Sequence, residues 1–305
     1  MHATNVSRMG TGVCVVGSVN MDLTFNVDTL PRPGETVLAA SLTNAPGGKG
    51  GNQAVAAARA GARVQFAGAV GDDPAGEQLR AHLRANGVGL DGVVELKGPS
   101  GTAVIVVEAG GENTIVVAPG ANGRLTPDAW AMPAVLSECE VLLIQLEIPV
   151  ATAVAAARAA QSAGAVVIVN ASPGGQDQAT LTELAAATDV VIVNEAEAAG
   201  SSWEPAHLVV TLGARGARYV GTDGEFAVPA PAVKAVDTTG AGDVFAGVLA
   251  ANWPPNPGSP ADRLRALQRA CVAGALATLV PGAGDCAPRA EAIDEALARG
   301  GADAG

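Results

Sequence analysis

Much of the chain repeats one pattern: a run of consecutive apolar residues, a polar or glycine break, then an alanine-rich segment. The run GVCVVGSV, residues 12–19, shows no polar alternation. It therefore fits a strand buried on both faces of a parallel sheet. RVQFAGAV precedes a predicted helix near 74–86, and EVLLIQL precedes one near 150–163. AVVIVN, DVVIVN and HLVVTLG add further buried strands, and YVGTDGEF predicts a hairpin. Cap and periodicity signals predict three late helices over about 241–252, 261–278 and 289–298. Repeated β-α alternation of this kind predicts an α/β fold: a doubly wound, mostly parallel sheet with helices on both faces.

The pattern changes in two places. In MDLTFNV, Met21, Leu23, Phe25 and Val27 fall on one side and Asp22, Thr24 and Asn26 on the other. Such strict alternation marks a half-exposed strand. TAVIVVEAGGENTIVV reads as two short strands around the turn-forming AGGEN. These segments predict a small sheet set apart from the main core. No repeat or low-complexity linker divides the 305 residues, so one domain is expected over 1–305. NWPPNPGSP reads as an ordinary loop, and the tail GGADAG as a frayed end.

Composition narrows the function classes. Hydrophobic residues make up 49% of the chain but aromatic residues only 3%, so the core is built from Ala, Val and Leu. The net charge of −12 leaves no basic footprint for nucleic acid. An acidic chain that binds a phosphorylated ligand must do so through local donors. Cys14, Cys139, Cys271 and Cys286 form no C-x-x-C pair and read as buried, reduced thiols. MHATNVSRMG lacks an apolar signal region, and no uncharged apolar run reaches membrane-spanning length. A cytoplasmic protein without membrane or nucleic-acid partners is expected. The sequons NVS at 5–7 and NAS at 170–172 then read as chance.

Two stretches carry candidate chemistry. In VDTTGAGDVFAGVLA, Gly240, Ala241 and Gly242 precede a helical run. Amides at a helix N-terminus lack intrahelical acceptors, and the helix dipole adds partial positive charge, which suits phosphate oxygens. Asp243 beside them reads either as a plain helix cap or as a base toward a hydroxyl that attacks phosphorus. The Gly-Ala-Gly turn favours the base, because a cap does not require it. In APGGKGGNQAVAAARAGA, two Gly-Gly pairs flank Lys49, and Asn52 opens an Ala-rich helix that Gly61 can end. Thr43 and Gly50 occupy the positions where a Walker A loop needs Gly and Ser or Thr, so it is not one. Close backbone approach to a small polar ligand, with Lys49 and Asn52 as donors, is the favoured use over a flexible turn with a solvated lysine. Polar residues at strand ends, Asn170 and Asn194, lie where doubly wound sheets bind ligands.

GSVNMD, PGGKGGNQA, QLEIP, VNEAE, TLGARG and DTTGAGD occur in the order and spacing of the PfkB carbohydrate kinases, in their ribokinase branch. The chain resembles that family from about Val13 to Leu297. The resemblance implies a ribokinase-like fold with a small β-sheet lid near 20–42 and 100–118. It implies transfer of the γ-phosphoryl of ATP to a sugar hydroxyl, with Asp243 as base and the amides of Gly240, Ala241 and Gly242 as the anion hole. Asn20, Asp22, Gly48, Lys49, Asn52 and Glu147 would hold the sugar. Asn194 and Glu197 would organise Mg²⁺ through water, and Thr211, Gly213 and Gly216 would line the nucleotide site with Gly242. Asp237, Thr239, Ala277, Val280, Gly282 and Cys286 fall at the family's monovalent-cation positions, implying activation by K⁺. Cys286 departs from the hydroxyl residue common there, and a neutral thiol is a poor ligand for a hard ion.

The branch implies D-ribose, phosphorylated at its 5-hydroxyl, as substrate. Another sugar or nucleoside kinase is the neighbouring reading. A non-catalytic sugar-binding protein is the reading from a different class, and the intact Asp243 turn opposes it. The lid implies a homodimer. The family's segment before HLVVTLG is longer than residues 195–206 here, which leave room for one short helix and a tight SSWEP loop. GVGLDG matches G-x-G-x-x-G but follows a predicted helix, so it reads as a helix end and turn. His2, His82 and His207 are scattered, and Trp130, Trp203 and Trp253 form no array.

Overall fold

The computed structural model describes residues 10–110, 112–199, 203–255 and 258–302. In chain order these residues form β1 (Gly12–Val16), β2 (Asn20–Val27), β3 (Ser41–Gly47), α1 (Lys49–Arg59), β4 (Arg63–Gly71), α2 (Pro74–Ala85), β5 (Gly89–Leu96), β6 (Gly101–Glu108) and β7 (Asn113–Ala118). Then follow α3 (Met132–Leu136), β8 (Val141–Gln145), α4 (Val150–Ser162), β9 (Val166–Asn170), α5 (Gln178–Ala185), β10 (Val190–Asn194) and α6 (Glu195–Ala199). The chain closes with β11 (His207–Thr211), β12 (Ala217–Gly221), β13 (Gly224–Val228), α7 (Ala241–Asn252), α8 (Pro260–Ala277) and α9 (Ala290–Ala302).

The main sheet has nine strands in the order β13-β12-β11-β10-β9-β8-β1-β4-β5. All neighbours pair in parallel except β11–β12 and β12–β13, which are antiparallel. β1 has β4 on one side and β8 on the other, so the winding reverses there. A crevice opens beyond the strand ends at such a switch point. The strand sequences explain their place. VLLIQ, VVIVN and VVIVN are buried along β8, β9 and β10, and Asn170 and Asn194 end β9 and β10 at the rim.

Alternate residues feed two cores. Val13, Val15, Val141 and Leu143 face α1, α2, α7 and α8, while Cys14, Val16, Leu142 and Ile144 face α3, α4 and α5. Burying each such leucine or isoleucine contributes roughly 1.5–3 kcal/mol. Small residues let the helices approach closely. A Cβ at Gly247 of α7 would lie 2.3 Å from the Gln53 carbonyl oxygen of α1. No described helix is long and apolar enough to cross a membrane.

The second sheet has the order β3-β2-β6-β7, with β2 and β6 parallel and the outer pairs antiparallel. Met21 and Val27 are buried and Leu23 packs against the main core, while Asn26 is exposed, as the alternation predicts. The outer strand β7 is exposed throughout.

Several boundaries differ from the sequence reading. β1 ends at Val16 instead of 19: the Gly17 N–H makes the last bond to β4, at the Ala67 carbonyl, and the backbone bends there. The first lid segment does not stop at 42: β3 runs from Ser41 to Gly47, an exposed edge strand without apolar alternation. α1 opens at Lys49, three residues before Asn52, with Gly48 as its cap at φ 85°. GVGLDG does contain a helix end, with Gly87 at φ 77°, but it then runs into β5, an unforeseen strand at the edge of the sheet. α3 and α5 were not anticipated either. The three late helices, the hairpin and a short helix after β10 stand where the pattern put them. The four cysteines are free, though Cys139 is only half-buried. The sequon at 5–7, His2, and the SSWEP, NWPPNPGSP and tail loops lie wholly or partly outside the described residues.

Candidate functional site

The rim of the main sheet and the base of the small sheet meet at the N-termini of α1 and α7. Gly240 caps α7 in the left-handed conformation, φ 78°, and no side chain caps the helix. A Cβ at Gly240 would also lie 2.8 Å from the Ala283 Cα, so geometry and space both require glycine. A Cβ at Gly242 would meet nothing within 4 Å, so this turn faces open space. Asp243 sits in the first turn of α7.

Asp243 is tied down on both oxygens. Asn52 Nδ2 donates to Oδ2 at 3.0 Å, and Gln53 Nε2 donates to Oδ1 at 3.0 Å. Gln53 in turn accepts from Gln145 Nε2 at 2.6 Å. α1 can deliver Asn52 and Gln53 here because its glycines allow contact with the end of β1. A Cβ at Gly50 would lie 2.7 Å from the Ser18 carbonyl oxygen.

Around Asp243 stand three further carboxylates and one lysine. Glu147, just beyond β8, accepts from Ser18 Oγ at 2.5 Å and from the Lys49 N–H at 3.3 Å. Asp22, on β2, is pushed up to about 7, chiefly by burial, with the charges of Glu147 and Asp243 adding. Its Oδ1 is buried without a hydrogen-bond partner. The Lys49 ammonium is held above its usual range, chiefly by Asp243, which outweighs burial; Glu147 and Glu197 add to it. Asn20 is oriented by Asn122, whose Nδ2 donates to Asn20 Oδ1 at 2.8 Å. The same Asn122 bonds the Val19 backbone at both its N–H and its carbonyl. Gly48 sets the approach: a Cβ there would lie 2.7 Å from the Asn20 nitrogen. Thus Asp22, Lys49, Asn52, Glu147 and Asp243, far apart in sequence, are near enough to bond or to act on one another's charge, with Asn20 and Gly48 packed beside them.

Two cavities continue from Asp243. The nearer, about 150 Å³, is lined by Lys49, Asn170, Asn194, Glu197, Gly242 and Asp243, among others. The farther, about 510 Å³, is lined by Thr211, Gly213, Gly216, Gly242, Phe245 and Gly274, among others. Thr211 and Gly242 border both, so the two lie side by side. Asn194 and Glu197 form a reciprocal pair: each side chain accepts from the other's backbone N–H, at 2.8 and 2.9 Å.

Beside α7, Asp237 accepts from the Thr239 and Gly282 N–H groups, each at 2.8 Å. Burial pushes its carboxyl upward, but these hydrogen bonds prevail and hold it below the usual carboxylate range. The Cys286 thiol is pushed up to about 11, chiefly by burial, with the charges of Asp243 and Asp237 adding. It stays protonated and lies 3.3 Å from the Ala283 carbonyl oxygen. Ala277 ends α8, and Val280 and Gly282 follow in the same loop. No group of three or more His, Cys, Asp or Glu side chains suited to a metal occurs among the described residues. Carbonyl and water-mediated sites need no such group.

Sequence reasoning missed Ser18, Gln53, Asn122 and Gln145. Gln145 carried a signal as a lone amide at the end of an apolar run, and Gln53 as an amide next to Asn52 at the start of an Ala-rich one. Asn122 had none, lying in a Gly-rich turn between β7 and α3.

With this geometry in hand, comparison with known proteins is specific. Residues 11–290 match the model of the pfkB family carbohydrate kinases. The ribokinase of Bacillus subtilis is 41% identical over 243 residues, 76% of this chain and 82% of that protein. The ribokinase of Schizosaccharomyces pombe is 36% identical over 268 residues, 78% of this chain and 83% of that one. The structure of Arabidopsis thaliana ribokinase complexed with ribose and ATP superposes with a TM-score of 0.83 at 28% identity, covering 94% of this chain and 98% of that one.

Proposed function

The chain belongs to the pfkB family of carbohydrate kinases, and from that premise we propose that this ATP-dependent sugar kinase phosphorylates D-ribose at its 5-hydroxyl. One observation carries the reading. A doubly anchored carboxylate, Asp243, stands between a recess of sugar-type hydrogen-bonding groups and an open glycine turn that borders both cavities.

The roles follow from the chemistry of the side chains. Asn20, Asp22, Gly48, Lys49, Asn52 and Glu147 bind the sugar. Carboxylates accept from adjacent hydroxyls, while Lys49 and Asn52 donate. The partnerless Asp22 Oδ1 gains a hydroxyl donor when the sugar enters. Asp243 takes the proton of the 5-hydroxyl as that oxygen attacks the γ-phosphorus and the bond to the bridging oxygen of ADP breaks. The amides of Gly240, Ala241 and Gly242 receive the charge developing on the transferred group. Thr211, Gly213 and Gly216 hold the nucleotide in the larger cavity.

Two cations fit the residues present. Around the transfer point, among the described residues, stand Asp22, Glu147, Glu197 and Asp243 against Lys49. A triphosphate entering so acidic a recess needs a counter-charge. Asn194 and Glu197 would hold Mg²⁺ through water, and when bound it neutralises phosphate charge. Asp237, kept ionised, and the carbonyls of Thr239, Ala277, Val280 and Gly282 offer the hard oxygen donors that K⁺ takes. Bound K⁺ would stiffen the loop beside the amide turn. The protonated Cys286 contributes no oxygen there.

The chain works as one domain over 1–305, with β2, β3, β6 and β7 as a lid over the sugar. The exposed Leu42, Ile115, Val116 and Val117 on that sheet favour a homodimer formed through it. Four free thiols fit the cytoplasm, and the partners are the sugar and ATP, with no nucleic acid or membrane.

The test is ADP release from ATP with Mg²⁺, in buffers with and without K⁺, across ribose, deoxyribose, fructose, 2-keto-3-deoxygluconate and nucleosides. Preference for ribose and activation by K⁺ are expected. Preference for another compound replaces the substrate, and no sugar-dependent ADP favours a binding protein.

A further inference from the structure

Gln53 and Gln145 are both fully buried, in the core between α1, α7 and the main sheet. Uncharged amides in such a place cost free energy unless bonded. Their bonds run in one line toward the reacting carboxylate. Gln145 Nε2 donates to Gln53 Oε1 at 2.6 Å, and Gln53 Nε2 donates to Asp243 Oδ1 at 3.0 Å. Gln53 Nε2 also reaches Asn170 Oδ1 at 3.3 Å.

The line has a direction. Were Gln53 to turn over, its carbonyl would face the Asp243 carboxylate and its NH₂ would face the NH₂ of Gln145. Both contacts would be repulsive. Gln53 therefore meets Asp243 with its NH₂ and Gln145 with its carbonyl, and both bonds oppose a turn of its amide. This arrangement does not serve stability alone. Gln145 Oε1 is buried without a partner, and it lies where a Cβ on Gly17 would be only 1.7 Å away. Methionines at both 53 and 145 would fill similar volume and leave neither Gln145 Oε1 nor Gln53 Oε1 as a buried acceptor.

We propose that Gln53 and Gln145 are positioning residues for phosphoryl transfer: Gln145 orients Gln53, and Gln53 fixes the Asp243 carboxylate toward the incoming hydroxyl. The proposal rests on the reading of Asp243 as the base. Without Gln53 the carboxylate keeps only the Asn52 bond and can swing toward Lys49, whose ammonium feels Asp243 more than any other group. A displacement of about 1 Å at a reacting group can cost on the order of 10²-fold in rate.

Steady-state kinetics of single and double variants test this. Gln53→Met should lower kcat by roughly ten- to a hundred-fold while the KM values for ribose and ATP stay within about threefold. Gln145→Met should lower kcat less. Gln145→Glu should lower it more than Gln145→Met, because a carboxylate at 145 drives Gln53 to turn over. In a Gln53→Met background neither change at 145 should lower kcat further, since the link is already cut. Additive losses that follow the melting temperature, or losses confined to KM, would overturn the proposal. Should Gln53→Met not fold, the wild-type protein labelled with ¹⁵N-glutamine decides. The Gln53 side-chain amide protons should exchange far more slowly than those of an exposed glutamine, and equal exchange overturns the proposal. Asp243→Asn serves as the control. If it keeps full turnover, the base reading falls and this inference with it. If it is crippled while Gln53→Met turns over normally, only the positioning role falls.

Discussion

Asp22, proposed to bind the sugar, is held ready at a cost. Burial and the charges of Glu147 and Asp243 raise its carboxyl from 3.8 to about 7. Between those values the native state binds its proton more firmly than the unfolded chain does. The stability that Asp22 contributes is therefore full below about pH 4 and lost as pH rises through about 7. In the sugar-free protein, Asp22→Asn should flatten the slope of stability against pH across that window, as read by denaturant unfolding. Equal slopes in both proteins would contradict the assignment. Asp22→Ala should weaken ribose binding by about tenfold or more and ATP binding by less than about twofold, since the lost partner belongs to the sugar side alone. Equal losses by calorimetry would mark a misfolded variant.

At the scale of elements, two glycines separate packing from chemistry. Gly50 lets the start of α1 lie against the end of β1, where a Cβ would meet the Ser18 carbonyl at 2.7 Å. Gly50→Ala should cost about 1–3 kcal/mol of stability and displace Lys49, Asn52 and Gln53 together. Gly242 faces open space. Gly242→Ala should leave stability unchanged or raise it by up to about 1 kcal/mol, yet lower turnover by crowding the phosphate turn. Normal turnover in Gly242→Ala would remove that turn from the anion site. The same scale explains what was legible in the sequence. The Gly-Ala-Gly turn and the buried strands show up because their logic lies within a few neighbouring residues, while the pairing of Asn194 with Glu197 comes only from the family resemblance. β3 escaped because SLTNAPG carries no apolar alternation, its pairing coming wholly from β2. β5 escaped because glycines break its run and its stability comes from lying beside β4. The Gln145–Gln53–Asp243 line escaped because its members are 92 and 190 residues apart.

For the whole molecule, the proposed dimer rests on the small sheet. Its outer strands carry Leu42, Ile115, Val116 and Val117 into solvent. Light scattering should give twice the 29.9 kDa chain mass, and Ile115→Lys with Val116→Lys should reduce it to the single mass. A wild-type monomer would contradict the dimer. Everything else in the architecture converges on one carboxylate: the switch point of the main sheet, the glycine-tipped α1 and α7, and the two neighbouring cavities. The measurement that tests the account most directly is ribose-dependent ADP formation by Asp243→Asn beside its ribose affinity. The account predicts a fall in kcat of roughly 10²–10⁴-fold with ribose still bound. Unchanged turnover in a folded, ribose-binding variant would contradict it.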